Sequence, residues 1–510
     1  MKSEIEEQFH DKKDHEREIG HEEPSTKSLE GSIIIGPEKR KLFGIFIVNE
    51  KISYVNLISY LFACFLTICL VVYLSVCQNF VLTVILRIYS TAGNVTGSLT
   101  LYDELVALPS TLAWGVLSDR VGRRYVYSIG FVFMGTAMVL YSLVENVYPQ
   151  MLLCRLLFSM GVAACTCMMT GTLGDVAGGV HERGRVSALV GILAGIGGVV
   201  AGMVLIKVPF QLGSLVKNET EGLRLSLVIV GGCAIGLAFI FAFTMPNVGA
   251  PRGFCFGKRW ASGDDSIPVP KKKLENPFQM LKYGILAGRD PRIALAYFSS
   301  FVARADTVLF TSYMSLWVIQ HYVDIGYCRD SKTCYPAAGD THTLTGIGQG
   351  ISLLFAPLFG YAGEKFKKST VLGVAGIIGA VGSLPFAFTK EAPAAKSNFV
   401  FVTMVGIGQI GIIVTGMTLV NGTYVDPRFR GSVAGVFSFC GAVSIMIMAK
   451  LGGYLFDVWM RGAPFVLMGI AHVLIALMSL YTRLVTPGLE KRDREMFAKE
   501  AEMEKEDKED

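Results

Sequence analysis

Twelve stretches of about 20 predominantly apolar residues, parted by short polar links, leave this 510-residue chain few folds to choose from. The windows run 56–78, 95–117, 125–144, 151–174, 187–210 and 223–244, then 293–318, 341–361, 370–388, 398–420, 433–454 and 463–484. Each is long enough to cross a hydrocarbon core, where every backbone N–H and C=O must be satisfied within its own helix. An all-α integral membrane protein with twelve transmembrane helices follows, and an internal repeat divides them into two pseudo-symmetric six-helix bundles. Only 17% of the residues are charged, and the mean hydropathy is +0.47. The net charge of +5 is explained by position. Arg120, Arg123 and Arg124, then Arg183 and Arg185, then Lys258, Arg259 and Lys271 to Lys273 fall on alternate links, the pattern that marks cytosolic loops. The partner implied is a lipid bilayer, with no need for nucleic acid.

The organisation expected is a cytosolic amino-terminal tail (1–53), a first bundle (54–245), a cytosolic central loop (246–291) able to carry a short surface helix, a second bundle (292–486) and a charged cytosolic tail (487–510). The first 53 residues are hydrophilic and resemble no cleavable signal. Most of the eleven cysteines lie inside apolar windows as small buried side chains, with no zinc-like spacing, so neither a metal nor another cofactor is expected. Cys328 and Cys334 share a link expected outside and are candidates for a loop-stapling disulfide. Of three glycosylation sequons, at Asn94, Asn218 and Asn421, only Asn218 falls in an outer link clear of the membrane.

One link carries a motif. Residues 115–124 read Gly-Val-Leu-Ser-Asp-Arg-Val-Gly-Arg-Arg, and a degenerate copy begins at Gly360. Gly115, Asp119 and Arg120 align with Gly360, Glu364 and Lys365 at an offset of 245, while Arg183-Gly184 aligns with Arg430-Gly431 at an offset of 247. Two separate links with nearly one offset argue for an internal repeat. An ordinary basic loop would explain the arginines but not the spacing of Gly115, Asp119 and Gly122. Twelve spans, a long central link and this motif together resemble the major facilitator superfamily, over about residues 54 to 486, in its eukaryotic, fungal-like organic-solute type. The resemblance implies that Asp119 approaches the amino end of span eleven beside Arg430 and Gly431, and that Gly115 lets those two helices pack closely. It also implies that Arg123 pairs with Asp119 and with Asp175 at the end of span four. Glu364, Lys368 and Asp426 would form a weaker second cluster, since Lys367 stands where the first copy has Gly122.

Ionisable residues inside the spans are costly and so mark cavities or partners. Asp103 and Glu104 are adjacent in span two and point about 100° apart, roughly 20 Å from the inner boundary. Arg155 in span four lies at a similar depth, so a carboxylate–guanidinium pair between spans two and four, made by either Asp103 or Glu104, fits equally as a proton-accepting carboxylate and as a permanent ion pair. Ser159, Thr166 and Thr170 continue a polar stripe from Arg155. In span seven Arg304 and Asp306 lie on nearly opposite faces, Asp306 with Ser299, Tyr313 and Trp317, Arg304 with Ser300, Thr311 and Ser315. Either face suits a pathway. Gln349 and Gln409 are further candidates; Lys450 reads as a residue snorkelling to the interface and His472 as structural. Gly191, Gly195, Gly198 and Gly202 in span five form a close-packing face.

No nucleotide-binding loop, metalloprotease helix or nucleophile elbow occurs, which argues against a pump or hydrolase. The expected function is secondary transport of a small organic solute by a monomer, coupled to protons, in a plasma membrane rather than a vacuolar one. A non-transporting nutrient sensor of the same fold and an uncoupled uniporter are the alternatives.

Overall fold

The computed structural model describes residues 40–42, 46–48, 52–176, 180–246, 277–327, 335–420 and 430–509. Two three-residue strands, β1 (Arg40–Leu42) and β2 (Phe46–Val48), pair antiparallel ahead of an otherwise helical chain. Helix α1 (Tyr54–Phe80) starts where Ser53 accepts from the Asn56 N–H, and a π turn (Val81–Ile85) extends it. The first half continues with α2 (Ala92–Val121), α3 (Arg123–Tyr141), α4 (Leu152–Val176), α5 (Val180–Met203), the short α6 (Val208–Val216) and α7 (Glu219–Thr244). A short α8 (Pro277–Ala287) precedes α9 (Pro291–Val308), which a π turn (Leu309–Tyr313) joins to α10 (Met314–Asp324). Then come α11 (Tyr335–Lys365), α12 (Lys368–Ala387), α13 (Phe399–Val420), α14 (Arg430–Val458) and α15 (Ala463–Glu509).

Ten helical segments among the described residues are long and apolar enough to cross a membrane. Helices α2 and α3 are long as well, at 30 and 19 residues, but Asp103, Glu104 and the basic pair Arg123–Arg124 lower their hydropathy. They pack among the apolar helices, α2 against α4 and α14, α3 against α4 and α7, which completes a set of twelve. The twelfth apolar span, Ala463–Leu489, ends close to the expected position, but the helix itself runs on: α15 continues through Pro487 to Glu509, in a charged stretch rich in Glu, Lys, Ala and Met, all good helix formers.

The two halves repeat one another in detail. Arg123, opening α3, donates from Nη1 to the Gly171 carbonyl near the end of α4. At matching positions in the second half, Lys368 opens α12 and donates from Nζ to the Thr418 carbonyl near the end of α13, at 2.8 Å. The links before these helices differ. Gly122, the single residue between α2 and α3, has φ 101° and ψ 141°, a region an L side chain enters only under strain. Lys367 holds φ −58° and ψ 122°, which any residue adopts, so the second copy of the motif needs no glycine there. Gly122→Ala should therefore lower stability by about 1–3 kcal/mol, read as a lower thermal-unfolding midpoint, whereas Lys367→Ala should stay within about 0.5 kcal/mol. Equal midpoints for the two variants would contradict this.

Candidate functional site: a cleft between the two halves

Two pairs of helices cross between the halves, and both pairs close at one end and part at the other. The end that carries Gly122 and Lys367 is the motif end; the opposite one is the far end. On α2 and α14, a Cβ at Gly93 would lie 2.7 Å from the Gly453 carbonyl oxygen, one at Gly453 only 2.2 Å from the Gly93 oxygen, and one at Gly97 only 2.4 Å from the Ala449 oxygen. Backbone here touches backbone, which only glycine permits. Toward the motif end the same two helices separate. A Cβ at Gly115 would meet only Cys167 of its own half, at 3.8 Å, and one at Gly435 would meet nothing within 4 Å. Helices α5 and α11 repeat the pattern: Gly202 abuts Thr345, Gly198 abuts Gln349 and Gly195 abuts Leu353, while Gly191 and Gly360 face open space. The result is a wedge-shaped cleft, sealed at the far end.

Polar contacts between the halves hold that seal. Asp457, near the end of α14, accepts from the backbone N–H of Gly93 at 3.0 Å and of Asn94 at 2.6 Å. These first-turn donors of α2 lack intrahelical acceptors, and a carboxylate beside a helix N-terminus is favoured by the dipole. Lys450, two turns earlier, donates to Asn94 Oδ1 and Ser98 Oγ, each at 2.6 Å, so it is an inter-half contact and not a snorkelling residue. Asn79 donates to the Ser312 carbonyl and to Ser315 Oγ, each at 2.6 Å, and Gln320 donates to the Tyr89 carbonyl at 2.6 Å. Asn79, Asp457 and Gln320 escaped the sequence reading. For Asp457 the signal available was the run of small residues Gly93, Gly97, Ala449 and Gly453, while nothing local marked Asn79 or Gln320.

At the apex of the cleft Arg155 Nε donates to Asp103 Oδ2 at 2.5 Å, with both side chains 11% exposed. Ser159 ties α4 to α2 by donating to the Asp103 carbonyl at 2.9 Å. Asp103 Oδ1, Arg155 Nη1 and the Tyr141 hydroxyl are buried without partners. Glu104 is half-buried, and its charged neighbours are Arg304, Asp103 and Arg155. Arg304 is exposed on α9, its stem resting against Gly441, where a Cβ would lie 2.6 Å from Arg304 Cγ. Almost one turn on, Thr307 Oγ1 accepts from Gln409 Nε2 at 3.2 Å, which brings α13 to the same level. Glu104, Arg304 and Gln409 thus gather at the apex, with Gln349 beside Gly198 on the α5–α11 seam.

Other expected site residues fall elsewhere. Asp306 is fully buried with Oδ2 3.1 Å from Nε2 of an equally buried His472 on α15, so its face does not line the cleft. His472 Nδ1 lies 2.8 Å from the Met468 carbonyl, and the ring fills the space that Gly379 leaves. Tyr313, expected in a pocket, is buried in the far-end seal, its hydroxyl donating to the Ala449 carbonyl at 2.5 Å; Trp317 packs between Phe386 and Phe465. Thr166 and Thr170 donate to carbonyls of their own helix. At the motif end Arg120 and Glu364 are exposed, and Arg124 stacks on Tyr125. Asn218 is exposed and caps α7, accepting from the Thr220 N–H at 3.2 Å. Cys328, Cys334 and Asp426, and the side chains of Asp119, Asp175, Arg183 and Arg430, lie outside the described residues. Two surface cavities of about 680 and 550 Å³, lined mainly by apolar residues of α12 and α15 and of α8, α9 and α14, contain none of the candidate residues.

Comparison with known proteins agrees with this architecture. The family model described as Major Facilitator Superfamily matches residues 61–327 and 293–505, which is most of the chain. The chain belongs to the Major Facilitator Superfamily. It is a multi-pass membrane protein of a transporter family. Among curated relatives, the magnetosome protein MamZ of Paramagnetospirillum magneticum is 25% identical over 76% of this chain, a match that spans 56% of MamZ, little more than half its length. Among solved structures, the nucleoside transporter NupG (TM-score 0.60, 14% identity, 84% of this chain and 99% of that one) and a D-xylose-proton symporter (0.62, 14%, 84% and 97%) share the fold. The MamZ relative is bacterial, and nothing in these likenesses supports the fungal-like type expected from the sequence.

Proposed function

We propose that this superfamily member is a secondary active transporter that moves a small organic solute by alternating access, using protons taken up at the adjacent carboxylates Asp103 and Glu104. The observation that carries the reading is the matched wedge of the two helix pairs: each has small residues along its length, so each can seal at either end, yet among the described residues only the far end is sealed. Arg120, Arg123, Arg124, Lys365, Lys367 and Lys368 cluster at the motif end, which supports a cytosolic motif end, cytosolic termini and an inward-open conformation. Sealing the motif end would bring Gly115 against Gly431 in the same antiparallel register that pairs Gly93 with Gly453. Asp119 would then cap the amino end of α14 as Asp457 now caps that of α2, with Arg123 and Asp175 completing the lock. Each of these two helices would carry, near its carboxyl end, the aspartate that latches the other. The protein acts as a monomer in the plasma membrane in this reading, which also includes a glycan at Asn218 and a Cys328–Cys334 disulfide.

The apex chemistry supports proton coupling. Asp103 is held in an ion pair with Arg155 and can take a proton only when that pair opens, whereas half-buried Glu104 makes no ion pair among the described residues and in this reading takes its proton from the cleft. In proteoliposomes holding the purified protein, an imposed pH gradient should drive accumulation of at least one solute in a panel of labelled sugars, nucleosides and amino acids. Glu104→Gln should abolish accumulation against the gradient, leaving at most exchange at solute concentrations high enough to saturate a weakened site. Undiminished accumulation by that variant would remove Glu104 from coupling, and no movement of any solute would favour a sensor.

A further inference from the structure

Glu104 and Arg304 are opposite charges on facing halves at one level of the cleft. Gly97 meets Ala449, and seven residues further along each antiparallel helix Glu104 falls opposite Ala442, next to the Gly441 on which Arg304 rests. Electrostatics agree, since Arg304 is among the charges acting on Glu104. Yet among the described residues neither side chain makes an ion pair or hydrogen bond. The other charges at the apex, Asp103 and Arg155, are already paired. What remains is one negative and one positive group, near enough to feel each other's charge but not in ion-pair or hydrogen-bond contact.

That arrangement discriminates among ligands. A simple anion would pair with Arg304 and leave Glu104 repelling it; a simple cation would do the reverse. A neutral polyol standing between the two would keep each charge from contact with the other while the cleft closes and desolvates both, a cost of several kcal/mol per ion. A molecule with an ammonium at one end and a carboxylate at the other satisfies both, the carboxylate accepting from the Arg304 guanidinium, whose planar fork fits it, and the ammonium donating to Glu104. Because the two groups belong to different halves, one such ligand would bridge them and favour closure over the bound solute, as alternating access requires. We propose that the site takes a small zwitterion, of the amino-acid or ω-amino-acid class, carried between Glu104 and Arg304. This inference rests on the transport reading above and names its substrate class.

The test is equilibrium binding to the purified full-length protein, followed as ligand-induced thermal stabilisation. The probes are glycine, β-alanine, γ-aminobutyrate, 5-aminopentanoate and 6-aminohexanoate, with butyrate, butylamine and a hexose as matched controls. At least one amino acid should raise the unfolding midpoint, with an optimum in chain length, and the controls should not. Glu104→Gln and Arg304→Gln should each weaken that binding at least tenfold while the unliganded midpoints stay close to that of the parent. The exchange variant E104R/R304E should recover binding, since a zwitterion can reverse its direction. Stabilisation by butyrate, butylamine or the hexose equal to that by the best amino acid would overturn the proposal, as would an exchange variant that transports a solute while no amino acid binds. Binding without any transport would count against the transport reading and leave the ligand class standing.

Discussion

Replacing Gly453 by Leu is expected to abolish transport while the protein still reaches the membrane. The Cβ alone would lie 2.2 Å from the Gly93 carbonyl oxygen and 2.7 Å from the Tyr313 hydroxyl. The first obstacle is backbone of the other half and cannot rotate aside. Overpacking of this kind costs up to about 3 kcal/mol where side chains can adjust, and here relief requires α2 and α14 to part. That penalty falls on the far-end-sealed state alone, so it shifts the conformational balance away from it by roughly a hundredfold. Cysteines introduced at the far end should then react with membrane-impermeant thiol reagents that do not reach them in the parent. The matched change Gly435→Leu should spare this conformation, because a Cβ there meets nothing within 4 Å, and should instead penalise closure at the motif end. If Gly453→Leu transports normally, the far-end seal has no part in the cycle.

Removing Arg155 should be the most damaging single change at the apex. Arg155→Met leaves the Asp103 carboxylate buried, with Oδ1 already unpartnered, in a site where its only counter-charge at contact distance has gone. Breaking a buried pair from one side costs about 3–5 kcal/mol, whereas removing both charges together is far milder. The thermal midpoint of Arg155→Met in detergent should therefore fall steeply, and that of Asp103→Asn/Arg155→Met should recover most of the loss. This cycle also separates the two readings of the pair. If Asp103 changes protonation during transport, the double variant will be stable but uncoupled from the pH gradient. A double variant as unstable as the single would show that Arg155 acts through packing and not through Asp103.

The membrane class and the motif were legible in the sequence because they depend on local pattern: the apolar windows on composition, the link at 115–124 on the spacing of Gly115, Asp119 and Gly122. Helices α2 and α3 show the limit of composition, since the residues that make them informative, Asp103, Glu104 and the arginines, also lower their hydropathy below that of the other ten. Long-range pairing was legible only where depth could be counted along a helix, as for Arg155 with a span-two carboxylate, and depth alone did not choose Asp103 over its neighbour Glu104. It was not legible for Lys450 with Asn94 or for Asp457 with Gly93, contacts made across more than 350 residues. Span seven failed for a different reason. With polar residues on both faces, nothing local tells that Asp306 turns inward to His472 while Arg304 opens to the cleft, because that depends on which face the second half buries.

The claim on which the account turns is that one rigid pair of halves seals at either end but not at both. Spin labels at Arg120 and Lys367 report the motif end, and labels at Lys217 and Lys390 report the far end; all four positions are exposed. Electron–electron distance measurements in nanodiscs, across a range of pH and with the solute panel, should give two populations at each pair. Conditions that shorten the Arg120–Lys367 distance should lengthen the Lys217–Lys390 distance. A single unchanging distance at both pairs, or distances that shorten together, would contradict the account.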